Sequence, residues 1–444
     1  MMCRKSLFVL ICFIHLGGFA QERWPLDSCI KLSISNNLTL RNASIQSEVA
    51  NISYKQSKWN YLPSVYAGSN AGMNFGRSVD PTDNGVIKTS FLESSYYVNA
   101  SLELFNGFSQ LNKLAYQKYL ALSAEHNQRK IEDEIAFAVM NAYFDVVYFD
   151  ELVAIAAEQR DLSRLNLRKT EVLVTTGLKS ESDLLEVKAN MEKDELYYIQ
   201  TQNQLASARI ALMQLMNIPV STPLDVEIPN DSLIVVDNAV DGDSLFFDYS
   251  QISPKINYYE NEYMASRKNI GVSRGAYYPS LKLQASYSTG YYETSRDADG
   301  KTYPFGEQFK NNQSQYVGLS LSVPLFVRNS ARFGVKQAKL QSEQSKNLLD
   351  KAKQDLQLEI TDNVNKYIAA EKEYRQAKVQ LAADRLAFDA AQKKYDKGMI
   401  SVVDFYTAKS RLSTIQGQAL RARLSLEVKR YTIDFYRGVR FWEN

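Results

Sequence analysis

Apolar residues recur in steps of four and three at Ile135, Val139, Ala142, Val146, Phe149, Val153 and Ala156. That seam, of period near 3.5, belongs to a helix packed along another helix. No Pro interrupts the chain from Gly107 to Gly177, so the pattern predicts a single helix over 107–176, roughly 100 Å long at about 1.5 Å per residue. A seam of that length needs a partner. Gly177 ends the first helix and Ser180 opens a return helix over 180–217.

The same plan occurs twice. Leu104-Phe105, entering the first long helix, are matched by Leu325-Phe326, while Gly177, Ser180 and Asp183 at its tip are matched by Gly398, Ser401 and Asp404. Every pair is 221 positions apart. Equal spacing over that distance predicts a tandem duplication: a first repeat over 21–218, a Pro- and Asp-containing linker over 219–253, and a second repeat over 254–444. The second repeat is expected to hold a helix over 254–275, a long helix over 329–397 and a return helix over 401–438. The seam of that last helix is Leu412, Ile415, Ala419, Ala422 and Leu426.

Between the helices the period changes from 3.5 to 2. In the first half Val65, Ala67, Ser69, Ala71, Met73 and Phe75 alternate with Gly and Asn, and Val98, Ala100, Leu102 and Leu104 alternate with Asn99, Ser101 and Glu103. In the second, Leu281, Leu283, Ala285 and Tyr287 alternate with Lys282, Gln284, Ser286 and Ser288, and Val317, Leu319, Leu321 and Val323 with Gly318, Ser320 and Ser322. Strand pairs are therefore predicted at 64–76 with 96–105 and at 280–292 with 315–326. About ten alternating residues is the length of a tilted membrane-spanning strand, and small polar residues on the other face suit a wet lumen. Polar loops (Arg77 to Ser94, Thr294 to Ser314) join each pair. Shorter helical segments (about Asp27 to Trp59 and Pro254 to Gly275) precede them, ending at Pro63-Ser64 and Pro279-Ser280.

Composition narrows the function. Arg4-Lys5, the apolar run Leu7 to Leu16 and the small residues ending at Ala20 read as a secretory signal peptide over 1–20. A formal charge of +2, close to neutral once Arg4 and Lys5 leave, gives no basis for nucleic-acid binding. The mature chain would keep one cysteine, Cys29, and one histidine, His126, so neither a disulfide nor a Cys- or His-based metal site is expected. Leu26-Asp27-Ser28-Cys29 only loosely imitates a lipidation box, since it follows the charged, Pro-containing stretch Glu22 to Pro25. Without a Gly-rich phosphate loop, a nucleophile elbow or a convergent acid–base set, the chain is not expected to be an enzyme or to carry a cofactor.

Signal, helix, strand pair, long helix, Gly-containing tip and return helix, followed by the same order again: this resembles the TolC family of outer-membrane efflux ducts. The resemblance rests on Tyr61-Leu62-Pro63-Ser64 and Tyr277-Tyr278-Pro279-Ser280, on Leu104-Phe105 and Leu325-Phe326, and on the tips Thr176 to Asp183 and Tyr395 to Asp404. It covers essentially all of the mature chain. It implies an α+β membrane protein, a trimeric 12-stranded β-barrel with four strands per chain, continued by a periplasmic α-helical coiled-coil barrel. Physics supports the oligomer, because four strands cannot close a barrel and open edges are too costly in lipid.

The resemblance also assigns the tips. Asp183 and Tyr395 match a family gating network, joined here by Ser180, Ser401 and Asp404, although Ser-x-x-Asp also has the form of a helix-capping box. The pattern departs at Ile400, where a basic residue is expected, and at Thr407, where a second acid often lies, so the closed state is expected to be held differently. Gly177, Leu178, Gly398 and Met399 match the segments that meet a periplasmic adaptor. The implied function is the exit duct of a tripartite efflux pump, with adaptor, inner-membrane pump, outer-membrane lipid and two further copies of the chain as partners. The alternatives are the exit duct of a type I protein-secretion system and a coiled-coil scaffold with no pore.

Overall fold

The computed structural model describes residues 23–79, 84–88, 90–228 and 241–443. The expected signal peptide, and a short extended piece expected at Leu233 to Val236, lie outside the described residues. In order the chain forms α1 (Leu26–Asn36), α2 (Leu38–Trp59), β1 (Ser64–Asn74), the small hairpin β2 (Arg77–Val79) and β3 (Val86–Lys88), β4 (Phe91–Asn106), α3 (Ser109–Thr175) and α4 (Glu181–Met216). It continues with α5 (Gly242–Ile252), α6 (Pro254–Arg274), β5 (Ser280–Tyr292), α7 (Phe305–Asn311), β6 (Ser314–Ser322), α8 (Ser330–Asp396) and α9 (Val402–Tyr436). No described helix is long and apolar enough to cross a membrane.

Four differences from the expected elements have physical causes. The first helical segment is two helices, because Asn37 is extended (φ −70°, ψ 120°). β4 begins at Phe91, five residues earlier than the alternation indicated, since Ser94 interrupts the apolar face between Leu92 and Tyr96. α5 occupies part of the expected linker: Asp241, read as a linker residue, accepts hydrogen bonds from the backbone N–H of Asp243 and Ser244 at the helix start, and Leu245 and Tyr249 are buried four residues apart. α7 forms inside the second polar loop, where Phe305 and Phe309 find aromatic partners.

The chain divides into two compact units, one of residues 39–131 and 247–358, the other holding the remaining described residues. In the first, the two strand pairs join into a single antiparallel sheet of order β1-β4-β5-β6. The register sets Val65 opposite Ala100, Ala100 opposite Ala285, and Ala285 opposite Val317, so the apolar positions of all four strands share a face. Glu103, Lys282 and Ser320 line up on the other. Among the described residues nothing covers the apolar face near β6, where Val317 is 75% exposed and Leu321 66%. A half-buried sheet in a water-soluble domain would turn those side chains inward.

The turn from strand to helix repeats as well. Gly107 and Phe108 both have positive φ (64° and 62°), and 221 positions on Arg328 and Asn329 do too (51° and 61°). Gly107 is required on two counts, since a Cβ there would also lie 2.6 Å from that of Tyr278.

In the second unit the α3 seam is buried at Ile135, Val139, Val146 and Ala156, but a parallel line one residue on (Ala136, Met140, Tyr143, Val147) is buried too. α3 is thus covered over a wide arc here. The Tyr143 hydroxyl donates to the Glu227 and Trp24 carbonyls (2.6 and 3.2 Å). Cys29 is fully buried on α1, and burial pushes its thiol up to about 12, which leaves it protonated and unreactive.

The residues after α9 return to α3. Trp442 is 2% exposed and stacks on Phe435, and Phe441 meets Phe137 edge-on. Arg440 is shared by Asp133 (3.2 Å), Glu132 (3.8 Å) and Glu443 (2.8 Å). Because that guanidinium is divided three ways, burial outweighs it and raises the Asp133 carboxyl from 3.8 to about 7. The folded state therefore holds this proton more tightly than the unfolded chain. Its stabilising effect is complete below about pH 4 and is lost as pH rises through about 7. Asp133→Asn is expected to raise the thermal midpoint at pH 8, by about 2–4 °C per kcal/mol relieved, and to leave it unchanged at pH 4. A thermal-shift series across that range, with both proteins in the same detergent, checks it.

Candidate helix-tip site

The long helices end in two near-identical tips. Gly177 has φ 74°, its N–H donating to the Val174 carbonyl (3.0 Å) and that of Leu178 to the Leu173 carbonyl (2.8 Å). Gly398 has φ 69°, its N–H donating to the Tyr395 carbonyl (2.9 Å) and that of Met399 to the Lys394 carbonyl (2.8 Å). Both are Schellman closures, which need glycine at the left-handed position. In that motif the apolar residue after glycine commonly packs back on its own helix. Here it does not: Leu178 is 74% exposed and Met399 70%.

The return helices start in two capping boxes. Ser180 Oγ accepts from the Asp183 N–H (3.1 Å) while Asp183 Oδ2 accepts from the Ser180 N–H (3.2 Å) and hydroxyl (2.8 Å). Ser401 and Asp404 repeat the arrangement at 3.1, 3.3 and 2.7 Å. The hydrogen bonds from Ser180, with Lys179 nearby, hold the Asp183 carboxyl below the usual carboxylate range. The capping role of both Ser–Asp pairs is thereby satisfied within each tip.

Tyr395 joins the two tips through a partner the sequence did not indicate. Its ring stacks on Phe405 (4.5 Å between centroids, 19° between planes), and its hydroxyl accepts from Lys179 Nζ at 3.1 Å. The ammonium also lies 4.4 Å from the ring centroid. Asp183 contributes to this contact only through the field it shares with Lys179; its own hydrogen bonds go to Ser180. Lys169 and Asp396 add an exposed ion pair at 3.3 Å. The departures at Ile400 and Thr407 also have local explanations. Ile400 packs against a core of Val187, Phe388, Tyr395, Val402 and Phe405, and the Thr407 hydroxyl bonds back to the Val403 carbonyl. An apolar contact thus stands where a basic residue was expected.

Two turns along α9 lies a polar node that the sequence reading did not single out. Lys409, 3% exposed, donates to the Gln159 carbonyl (2.8 Å) and Ser163 Oγ (2.5 Å) of α3 and forms an ion pair with Asp194 of α4. Ser163 donates in turn to Asp194 (2.6 Å). One ammonium thus ties three helices together. Burial lowers the Lys409 pKa, with Asp194 opposing the shift. The signal was present in the sequence: Lys409 falls between Phe405 and Leu412, at a position of the helix that its apolar neighbours mark as inward. Among the described residues no group of three or more His, Cys, Asp or Glu is placed to hold a metal.

An open sheet with one apolar and one polar face, built equally by two repeats, together with paired long helices ending in exposed apolar tips, defines a channel-forming protein of the outer-membrane type. The chain belongs to the outer membrane efflux protein family, whose model matches residues 29–217 and 250–438. It is 24% identical over 411 residues to the probable efflux pump outer membrane protein TtgC of Pseudomonas putida, covering 90% of this chain and 80% of that one. It is 22% identical over 451 residues to the proteases secretion protein PrtF of Dickeya chrysanthemi, covering 97% and 92%. The outer membrane protein VceC of Vibrio cholerae has the same fold, with a TM-score of 0.79 at 13% identity over 92% of this chain and 95% of that one. The TolC-like fold and the outer-membrane location expected from the sequence are borne out.

The Lys409 node makes a specific prediction about its two partners. Asp194→Leu strands a charge inside the protein and should cost about 3–5 kcal/mol. Lys409→Met leaves behind only an aspartate that is 23% exposed and should cost clearly less. The double variant should recover part of the Asp194→Leu loss. Thermal midpoints of the three variants in one detergent read out that order.

Proposed function

We propose that this chain is the exit duct of a tripartite efflux pump, conducting small molecules passively outward from an inner-membrane pump through a periplasmic adaptor. The observation that carries the reading is the sheet. β1 and β6 each have one edge without a strand, and the apolar face beside β6 is bare. A second exposed stripe, Ile45, Val49, Ile52 and Trp59 on α2, has the four- and three-residue steps of a helix seam. Both features call for further copies of the chain. Three copies, as in the family, bring twelve strands to one barrel and leave no edge in lipid. The polar face then lines the lumen, and Glu103, Lys282, Gln284 and Asn99 keep it hydrated. No catalytic step is needed, because energy enters at the inner-membrane pump.

Leu178 and Met399 are the docking residues for the adaptor, being large, apolar and exposed at the ends of otherwise polar tips. Tyr395, with Lys179 and Phe405, holds the tips closed, and the capping boxes at Ser180–Asp183 and Ser401–Asp404 keep each helix start intact while the gate moves. Opening separates Lys179 from Tyr395. A second reading, the exit duct of a protein-secretion system, is favoured by the likeness to PrtF over 97% of this chain. It shares the architecture and differs only in cargo.

The double variant Leu178→Asp/Met399→Asp is expected to assemble in the outer membrane yet raise intracellular dye accumulation to the level of a strain lacking the duct. Unchanged efflux would contradict docking at the tips. Tyr395→Phe removes only the hydroxyl that Lys179 donates to, and is expected to increase the frequency of conductance steps in a planar bilayer several-fold without changing their size. If the protein gives no steps at all, the duct reading fails.

A further inference from the structure

β6 begins only at Ser314, opposite Ser288, but β5 continues to Tyr292. The last four residues of β5 therefore have no strand on that side. α7 takes its place. The Tyr292 N–H donates to Gln308 Oε1 (3.0 Å) and Gln308 Nε2 donates to the Tyr292 carbonyl (3.0 Å), so one side-chain amide does what a paired residue would do. Asn312 Nδ2 donates to the Gly290 carbonyl (2.9 Å), and the Thr289 hydroxyl to the Phe309 carbonyl (2.7 Å). Gln308, 3% exposed, is the inward residue of α7.

The face on which α7 lies follows from strand alternation. Tyr96 shares a side of β4 with Val98, Ala100 and Leu102, and Tyr291 shares a side of β5 with Leu283, Ala285 and Tyr287. Phe305 packs on Tyr96 (6.1 Å between centroids) and Tyr291 (5.7 Å), and Phe309 on Tyr96 (5.4 Å). The helix thus sits on the apolar, outward side of the wall, at the end of β5 away from its junction with α6. From Leu281 to Tyr291 a strand tilted by about 40° climbs about 25 Å, which is the height of the apolar band of an outer-membrane barrel. Tyr291 and α7 consequently lie at the upper margin of that band.

We propose that α7 is a lipid anchor, seating Phe305 and Phe309 in the headgroup layer of the outer leaflet. Phe305 remains 48% exposed and Phe309 38%, continuing the bare apolar surface of the strands below, while Glu307 and Lys310 on the same helix are also exposed. Aromatic rings at this depth with charged residues beside them are what the membrane interface selects. The occupant is lipid because the surface is continuous with the lipid-facing wall. The inference rests on the proposed barrel, in which the apolar face of the sheet meets lipid, but not on what the duct conducts or on docking at the tips.

The test uses the full chain in phosphatidylethanolamine/phosphatidylglycerol vesicles, carrying Phe305→Cys, or Lys310→Cys as the variant that keeps both rings, labelled in the folded state with an environment-sensitive fluorophore. Nitroxide on the lipid headgroup is expected to quench the Phe305→Cys label at least threefold more than aqueous iodide does. The Lys310→Cys label should be quenched by both. An Asn84→Cys label on the β2–β3 hairpin serves as the water-exposed control. Iodide quenching at position 305 equal to that control would make α7 an ordinary extracellular loop, and protection from both quenchers would place a neighbouring copy over it; either result overturns the proposal.

Discussion

Inside a bilayer a peptide group without a hydrogen-bond partner costs several kcal/mol, and water is not present to supply one. That constraint governs the unit that carries the sheet. Two hairpins pair through β4 and β5 and leave one edge at β1 and one at β6. Within the chain, the short gap above β6 is closed by a glutamine and an asparagine of α7. The two long edges have no such local remedy. In the proposed trimer other copies supply their partners, so that the assembly would follow from backbone chemistry before it is a matter of function.

The helical unit answers a different requirement. Helices of 67 residues must stay in register with their return partners and, in the proposed duct, still be able to move at their ends. Register is set by buried apolar lines and by single polar locks such as Lys409 with Asp194, Ser163 and Gln159, which joins three helices. In the proposed duct movement is left to the tips, where each helix end is satisfied by its own glycine closure and capping box. Neither tip depends on the other for its backbone hydrogen bonds, so parting them would break the Lys179–Tyr395 and Lys169–Asp396 contacts and the apolar packing of Val187 on Tyr395 and Phe405, but no helix end.

Much of this was legible in the sequence, and for identifiable reasons. Period 3.5 and period 2 are large, repeated signals, and the duplication let each half check the other. Even the paired positive-φ residues at 107–108 and 328–329 keep the common spacing, although only one of the four is glycine. What escaped was written in single residues. Gln308 as a stand-in for a strand, Lys179 as the partner of Tyr395, and Lys409 as an inward charge are each set by a neighbour distant in sequence, which no local period reports, while Asp241 is a local cap inside a stretch whose prolines and aspartates read as linker. Ile400 was visible as a departure, but its role in packing needed the position of Phe405.

The central claim is that the β1 edge of one chain meets the β6 edge of the next until the ring closes. Cysteines introduced pairwise along the two edges, one at Val65, Ala67 or Ser69 and one at Val317, Leu319 or Leu321, test it under mild oxidation in native membranes. At least one pair is expected to give covalent dimers and trimers in denaturing gels, with neither single variant doing so. A chain that stays monomeric for every pair, or links only within itself, would contradict the account.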